Sequence, residues 1–223
     1  TTTAEAHAQG NLIAMIPVDD GLGGAREGFE EDVLRLGGVG EENVDDGVIQ
    51  ASTKRFTWLL VNLGTAILAS LVIGMFDATL EQMVALAVLM PIVASMGGNA
   101  GTQTLTITVR ALAMKDLTKY NTFRTFRKEL IVGFLNGCVF ACLAGIITVF
   151  WFSHLGNANL LGAIIAVAMI INLVVAGVSG VALPILLEKL KVDPAVASGV
   201  FVTTITDVVG FLAFLGLASI FLL

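Results

Sequence analysis

Of 223 residues, 56% are hydrophobic and only 13% charged, with a mean hydropathy of +0.90, whereas ordinary soluble domains carry about 25% charged residues. Lipid must therefore be the solvent for most of the chain, which excludes a soluble globular domain. The formal charge of −6 is divided unevenly: residues 1–53 hold eleven acids against Arg26 and Arg35, giving −9, while residues 54–223 hold ten bases against seven acids, giving +3.

Within residues 1–25, Asn11–Asp20 (NLIAMIPVDD) predicts a short strand and turn, too little to form a core, and the stretch reads as the tail of a larger unit. Residues 26–53 form a cytoplasmic connection. Its first part, 26–38 (REGFEEDVLRLGG), predicts an acidic amphipathic helix with Phe29, Val33, Leu34 and Leu36 on its apolar side and Gly37-Gly38 as its stop. Residues 54–223 then form an all-α, polytopic membrane domain. Five segments reach the roughly 20 apolar residues that a span requires: Phe56–Phe76, Met83–Val109, Leu130–Ser153, Leu160–Leu187 and Ala195–Leu223. Short polar turns, Asp77–Gln82 and His154–Asn159 among them, separate the spans.

The twelve Lys and Arg residues orient the bundle. All fall on one side when the N-terminus is cytoplasmic: Arg26, Arg35, Lys54 and Arg55, six from Arg110 to Lys128, then Lys189 and Lys191. This positive-inside pattern places Leu223 outside and implies a multi-pass protein of the inner (plasma) membrane. Cys138 and Cys142 share one face of the third span and read as small buried hydrophobes. His7 and His154 have no second ligand nearby and read as neither metal-binding nor catalytic.

The second span contains MPIVASMGGNAGTQTLTITVR, Met90 to Arg110. Pro91 removes a backbone donor, Gly97, Gly98 and Gly101 thin the helix, and Asn99, Thr102, Gln103, Thr104, Thr106 and Thr108 add polar groups that a lipid-facing helix would avoid. Two readings stand: the wall of a pore, or close packing through the small pair Gly97 and Gly101. In the fifth span Asp207 lies roughly 18 Å along the helix from Ala195, near mid-bilayer, where an isolated carboxylate must face water, a cation or a partner. Gly199, Thr203, Asp207, Gly210 and Phe214 form a stripe at three- and four-residue steps, and Thr204 and Thr206 add oxygens. Oxygen-only ligands suit a hard cation such as Mg2+. One carboxylate cannot build a dehydrating cage, but two copies on a two-fold axis can hold a hydrated ion through its waters. The alternative is a protonated aspartate in a polar helix contact. Asn62, Ser70, Asn136, Asn172 and Ser179 predict hydrogen bonds between helices, while Asp77 and Glu81 could gather cations at the outer mouth.

Pro91–Ala113 (PIVASMGGNAGTQTLTITVRALA) and Asp193–Ala218 (DPAVASGVFVTTITDVVGFLAFLGLA) resemble the MgtE family of magnesium channels, and the likeness extends over residues 26–223. The resemblance implies a homodimer whose second and fifth helices line a pore, with Asp207 at the central Mg2+ site and the Thr203 carbonyl beside it. Pro91, Gly97, Gly98, Asn99, Gly101, Thr102, Gly199 and Gly210 are then candidate pore-lining residues. It also implies that EGFEEDVLRLGGV is a connecting helix and NLIAMIPVDDG the last strand of a CBS module, with the sensor itself not within this chain. The expected partners are a second copy and the bilayer, with no nucleic acid and no other protein. No nucleotide loop or Ser-His or Cys-His pairing suggests catalysis, and the alternative function is an ion-coupled secondary magnesium transporter.

Overall fold

The computed structural model describes residues 2–6, 12–17, 45, 47–117, 121–192 and 194–222. The long apolar runs become helices because a backbone in lipid must satisfy its own hydrogen bonds. They are α1 (Val48–Gly74), the short α2 (Asp77–Gln82), α3 (Val84–Ala113), α4 (Thr122–Trp151), α5 (Ala158–Lys189) and α6 (Pro194–Phe221). All but α2 are long and apolar enough to cross a membrane, so the protein is a polytopic membrane protein with five spanning helices. Ahead of them, Thr2–Ala6 (β1) pairs antiparallel with Leu12–Pro17 (β2), from Thr2 opposite Pro17 to Ala6 opposite Leu12. The expected strand is thus β2; its partner β1 had no alternating signal to reveal it. The connecting helix expected at 26–38 lies outside the described residues.

The helices overrun the expected spans because polar residues continue them into the headgroup region. The largest extensions are at the starts of α1 and α4, each eight residues ahead of the apolar run. The Asp77–Gln82 turn is itself helical, starting with Asp77 where a negative charge complements the helix dipole. α3 and α5 both end on a lysine with positive φ, Lys115 at 55° and Lys191 at 59°. Each stop is closed by a backbone bond reaching five residues back, Asp116 N–H to Ala111 O and Val192 N–H to Leu187 O, both 2.9 Å.

Helix α5 forms the centre, with α3, α4 and α6 packed on it. Of its apolar window 56% is buried, against 11% for α1, whose main neighbour is α6. The main core joins Leu86, Leu89 and Val93 of α3, Leu161 and Ile165 of α5, and Phe214 and Leu215 of α6, all fully buried. These residues occupy the end of the bundle that carries α2 and the α4–α5 turn. Toward the other end the core thins to Leu105, Val109 and Val202.

Helices α4 and α5 meet through backbone. A Cβ added at Gly133 would stand 2.6 Å from the Leu173 carbonyl oxygen, one at Gly137 3.1 Å from Ile170 Cα, one at Gly145 3.1 Å from the Gly162 carbonyl oxygen, and one at Gly177 2.7 Å from the Glu129 carbonyl oxygen. Small residues thus let the two helices touch along most of their length. Of the polar residues expected to bridge helices, Asn172 does so, its Nδ2 donating to Val93 O of α3 at 2.8 Å. Ser70 and Ser179 donate instead to carbonyls of their own helices, Ala66 O and Ala176 O, and Asn62 and Asn136 are exposed. A hydroxyl three or four residues beyond a carbonyl finds that partner without a neighbour.

Candidate cation site on α3 and α6

The two stretches singled out in the sequence come together. Gly98 of α3 lies beside Thr203 of α6, a Cβ there standing 3.8 Å from Thr203 Cγ2, and Gly101 packs on Val202 and Thr206 of α6 and Ala176 of α5. Asp207 is midway along α6, thirteen residues after Pro194 and fourteen before Phe221. It is half-buried. Among the described residues its carboxylate has neither a hydrogen bond nor an ion pair.

Exposure changes along the α6 stripe. Gly199, Thr203 and Asp207 are half-buried, whereas Gly210 and Phe214 are buried. Gly210 faces Asn172 and Val93, with a Cβ there only 2.8 Å from Asn172 Nδ2 and 3.2 Å from Val93 Cγ1. Asp207 thus sits where a partly open helix face runs into the packed core.

The hydroxyls around it are oriented by their own helix. Thr203 Oγ1 donates to Val200 O at 2.9 Å, Thr204 Oγ1 to Val200 O at 2.6 Å, and Thr206 Oγ1 to Thr203 O at 2.9 Å. With each proton directed at a carbonyl, lone pairs are what the hydroxyls of Thr203 and Thr204 have left to offer. The Thr203 carbonyl accepts both the Thr206 hydroxyl and, as a helical carbonyl, the Asp207 N–H. On α3, Thr102 Oγ1 donates to Gly98 O and Thr106 Oγ1 to Thr102 O, both at 2.9 Å, while Asn99 Nδ2 donates to Ser95 Oγ at 3.4 Å. Ser95, Asn99, Thr102 and Thr106 recur at helical spacing and are all exposed, so in one copy α3 carries an uncovered polar stripe of mainly acceptor oxygens. Pro91, on the same helix, is exposed as well.

Gly97 and Gly101 are buried, and Gly97 receives the Asn172 side chain. Within one copy the small-residue pair therefore serves close helix packing, as does Gly210. Asp77 and Glu81 are exposed on α2, away from α6's midpoint, and Asp77 Oδ1 accepts the Ala78 N–H at 2.7 Å. Among the described residues no three His, Cys, Asp or Glu side chains gather in a group able to hold a metal.

Residues 90–217, which contain the α3 stripe and Asp207, match the family described as MgtE, divalent cation transporter. The chain belongs to the MgtE family. It is 34% identical over 212 residues to the magnesium transporter MgtE of Bacillus subtilis, covering 95% of this chain and 46% of that protein. Against the magnesium transporters MgtE of Enterococcus faecalis and Thermus thermophilus the identity is 33%, over 95% and 96% of this chain and 46% and 47% of theirs. The chain thus spans about half the length of the curated relatives it matches.

The MgtE match also encloses a residue that the sequence reading passed over. Glu129 falls one residue before the expected span Leu130–Ser153, yet α4 starts at Thr122 and the Glu129 side chain is only 6% exposed. Its Oε2 accepts from Thr104 Oγ1 of α3 at 3.1 Å, and its Oε1 pairs with Lys128 Nζ at 3.3 Å. With Gln103, Thr104, Lys128 and Asn136 it lines a cleft of ≈ 180 Å³. Gly133, four residues after Glu129, and Gly177, whose added Cβ would meet the Glu129 carbonyl, were the available signal: they bring α5 against the Glu129 turn.

Proposed function

We propose that the protein moves Mg2+ across the membrane through a path lined by α3 and α6 of two copies, with Asp207 as the central cation-binding residue and the Thr203 carbonyl as its neighbour. The observation that carries this reading is the carboxylate of Asp207, without a partner among the described residues, midway along α6 and one turn beyond Thr203, which lies beside Gly98 of α3. A carboxylate at that depth is stabilised by a cation and its waters, and costs several kcal/mol when left to lipid. The hydroxyls offer lone pairs, suited to a hard cation that keeps part of its hydration shell.

A second copy completes the site in two respects. It supplies the second carboxylate that a divalent charge calls for, and it covers Asn99, Thr102 and Thr106. Pro91, Gly98, Asn99, Thr102 and Gly199 are the pore-lining candidates that remain at least half-open in one copy. The relatives' printed function as magnesium transporters supports Mg2+ as cargo. The distribution of Lys and Arg supports a cytoplasmic N-terminus in a plasma membrane.

Uptake of Mg2+ by proteoliposomes holding equal amounts of wild type and Asp207→Asn tests the proposal. The substitution keeps size and removes charge, and uptake should fall at least tenfold while helicity is unchanged. Equal uptake would sink the assignment of Asp207.

A further inference from the structure

A groove of ≈ 570 Å³ lies at the beginning of α4, bounded by Phe123, Arg124, Arg127, Lys128, Ile131 and Val132, within the size range of small-molecule sites, roughly 300–1,000 Å³. Its cations stand at i, i+3 and i+4, so all three share one face. Lys128 is paired with Glu129, but among the described residues neither Arg124 nor Arg127 has a carboxylate partner. Among the described residues the face therefore keeps two uncompensated charges.

Depth distinguishes this groove from a water-facing basic patch. The 30 residues of α4 extend about 45 Å, beyond the roughly 30 Å of bilayer hydrocarbon. The apolar run starts at Leu130, which puts Arg124 and Arg127 about 4–9 Å outside it, at headgroup level. Below the cations the same groove turns apolar through Ile131, 43% exposed, and Val132, while Phe123 is 76% exposed at its upper rim, an aromatic where interfacial rings settle. Cation above and aliphatic surface below is the order of a phospholipid read from phosphate to acyl chain.

We propose that the beginning of α4 binds the headgroup of an anionic phospholipid, with Arg124 and Arg127 on the phosphate and the acyl chain descending past Ile131. The guanidinium fork pairs with phosphate oxygens in a geometry that lysine cannot reproduce, and a zwitterionic headgroup gains less because its own cation opposes theirs. This site is separate from the cation path and holds whether or not Asp207 binds Mg2+.

Quenching by brominated lipid tests it in the full chain. With Trp58→Phe and Trp151→Phe as background, Ile131→Trp places a reporter beside the expected acyl chain. At equal mole fraction, brominated phosphatidylglycerol should occupy the site about five- to thirtyfold more tightly than brominated phosphatidylcholine, as one or two arginine–phosphate contacts predict. Adding Arg124→Gln and Arg127→Gln should equalise the two lipids, and Arg124→Lys with Arg127→Lys, which keeps the charge without the fork, should keep only part of the preference. Should the double Gln variant lose helicity, each single Gln variant must lower the preference. Equal quenching with the arginines intact overturns the proposal. So does a preference that survives the double Gln change, or one abolished by tens of millimolar inorganic phosphate, which would mark a site for free anions.

Discussion

Asp207 and Glu129 are both carboxylates inside spanning helices, and their surroundings assign them different work. Asp207 has no protein partner among the described residues and lies beside oxygen acceptors; Glu129 is held by a hydroxyl and an ammonium group at one end of the bundle. Glu129 accordingly acts as a tie between α3 and α4. Replacing it with Gln keeps an acceptor for Thr104, whereas replacing it with Ala leaves the Thr104 hydroxyl facing a void. Thermal unfolding in detergent should find Glu129→Ala less stable than Glu129→Gln by about 1–3 kcal/mol, the cost of an unsatisfied buried polar group. On α2, Asp77→Asn and Glu81→Gln should lower Mg2+ uptake only slightly, by an amount that disappears in high salt, because both side chains are exposed and their fields are screened. An effect as large as that of Asp207→Asn would place the cation site on α2 instead.

Neighbouring glycines of α3 differ in what surrounds them, and so in what they tolerate. A methyl group at Gly97 collides with the Asn172 side chain and endangers its bond to Val93 O. One at Gly98 meets Thr203 Cγ2 at an ordinary 3.8 Å. Gly97→Ala should therefore cost about 1–3 kcal/mol through overpacking, while Gly98→Ala should be neutral or stabilising by up to about 1 kcal/mol, since alanine is the better helix former. Melting temperatures of the two purified variants check the contrast, and equal losses would contradict the packing described. The spans themselves were readable, because 20 apolar residues have few other uses. Their ends were not: an apolar count stops at Glu129 and at Lys54-Arg55, while the backbone continues its hydrogen bonds into the headgroups. Nor does the sequence distinguish a glycine that faces water from one that faces a helix. From Pro91 through Thr102 the sequence fits a pore wall and a packing face alike, and the separation into buried Gly97 and Gly101 and exposed Asn99 and Thr102 needed the neighbours Asn172 and Val202 in place.

For the whole protein, the lopsided distribution of bases predicts its orientation. A cysteine at Asn157, in the α4–α5 turn, should react with an impermeant thiol reagent from outside the cell, and one at Asn121 should not, in a background lacking Cys138 and Cys142; the reverse pattern would invert the topology. The uncovered stripe of α3 predicts association. Mass photometry in mild detergent should find two copies per particle, and an active species that is strictly monomeric would remove the shared path. The contact between α4 and α5 bears on any motion such a pore makes. Where side chains interlock, helices can creep past one another by exchanging rotamers, each step small. At Gly133, Gly137 and Gly177 there are no rotamers to exchange, only main chain against main chain. That pair has few low-cost intermediate offsets, so it should turn as a unit, and displacement during transport should be sought where α1, the least buried of the spanning helices, is more loosely held.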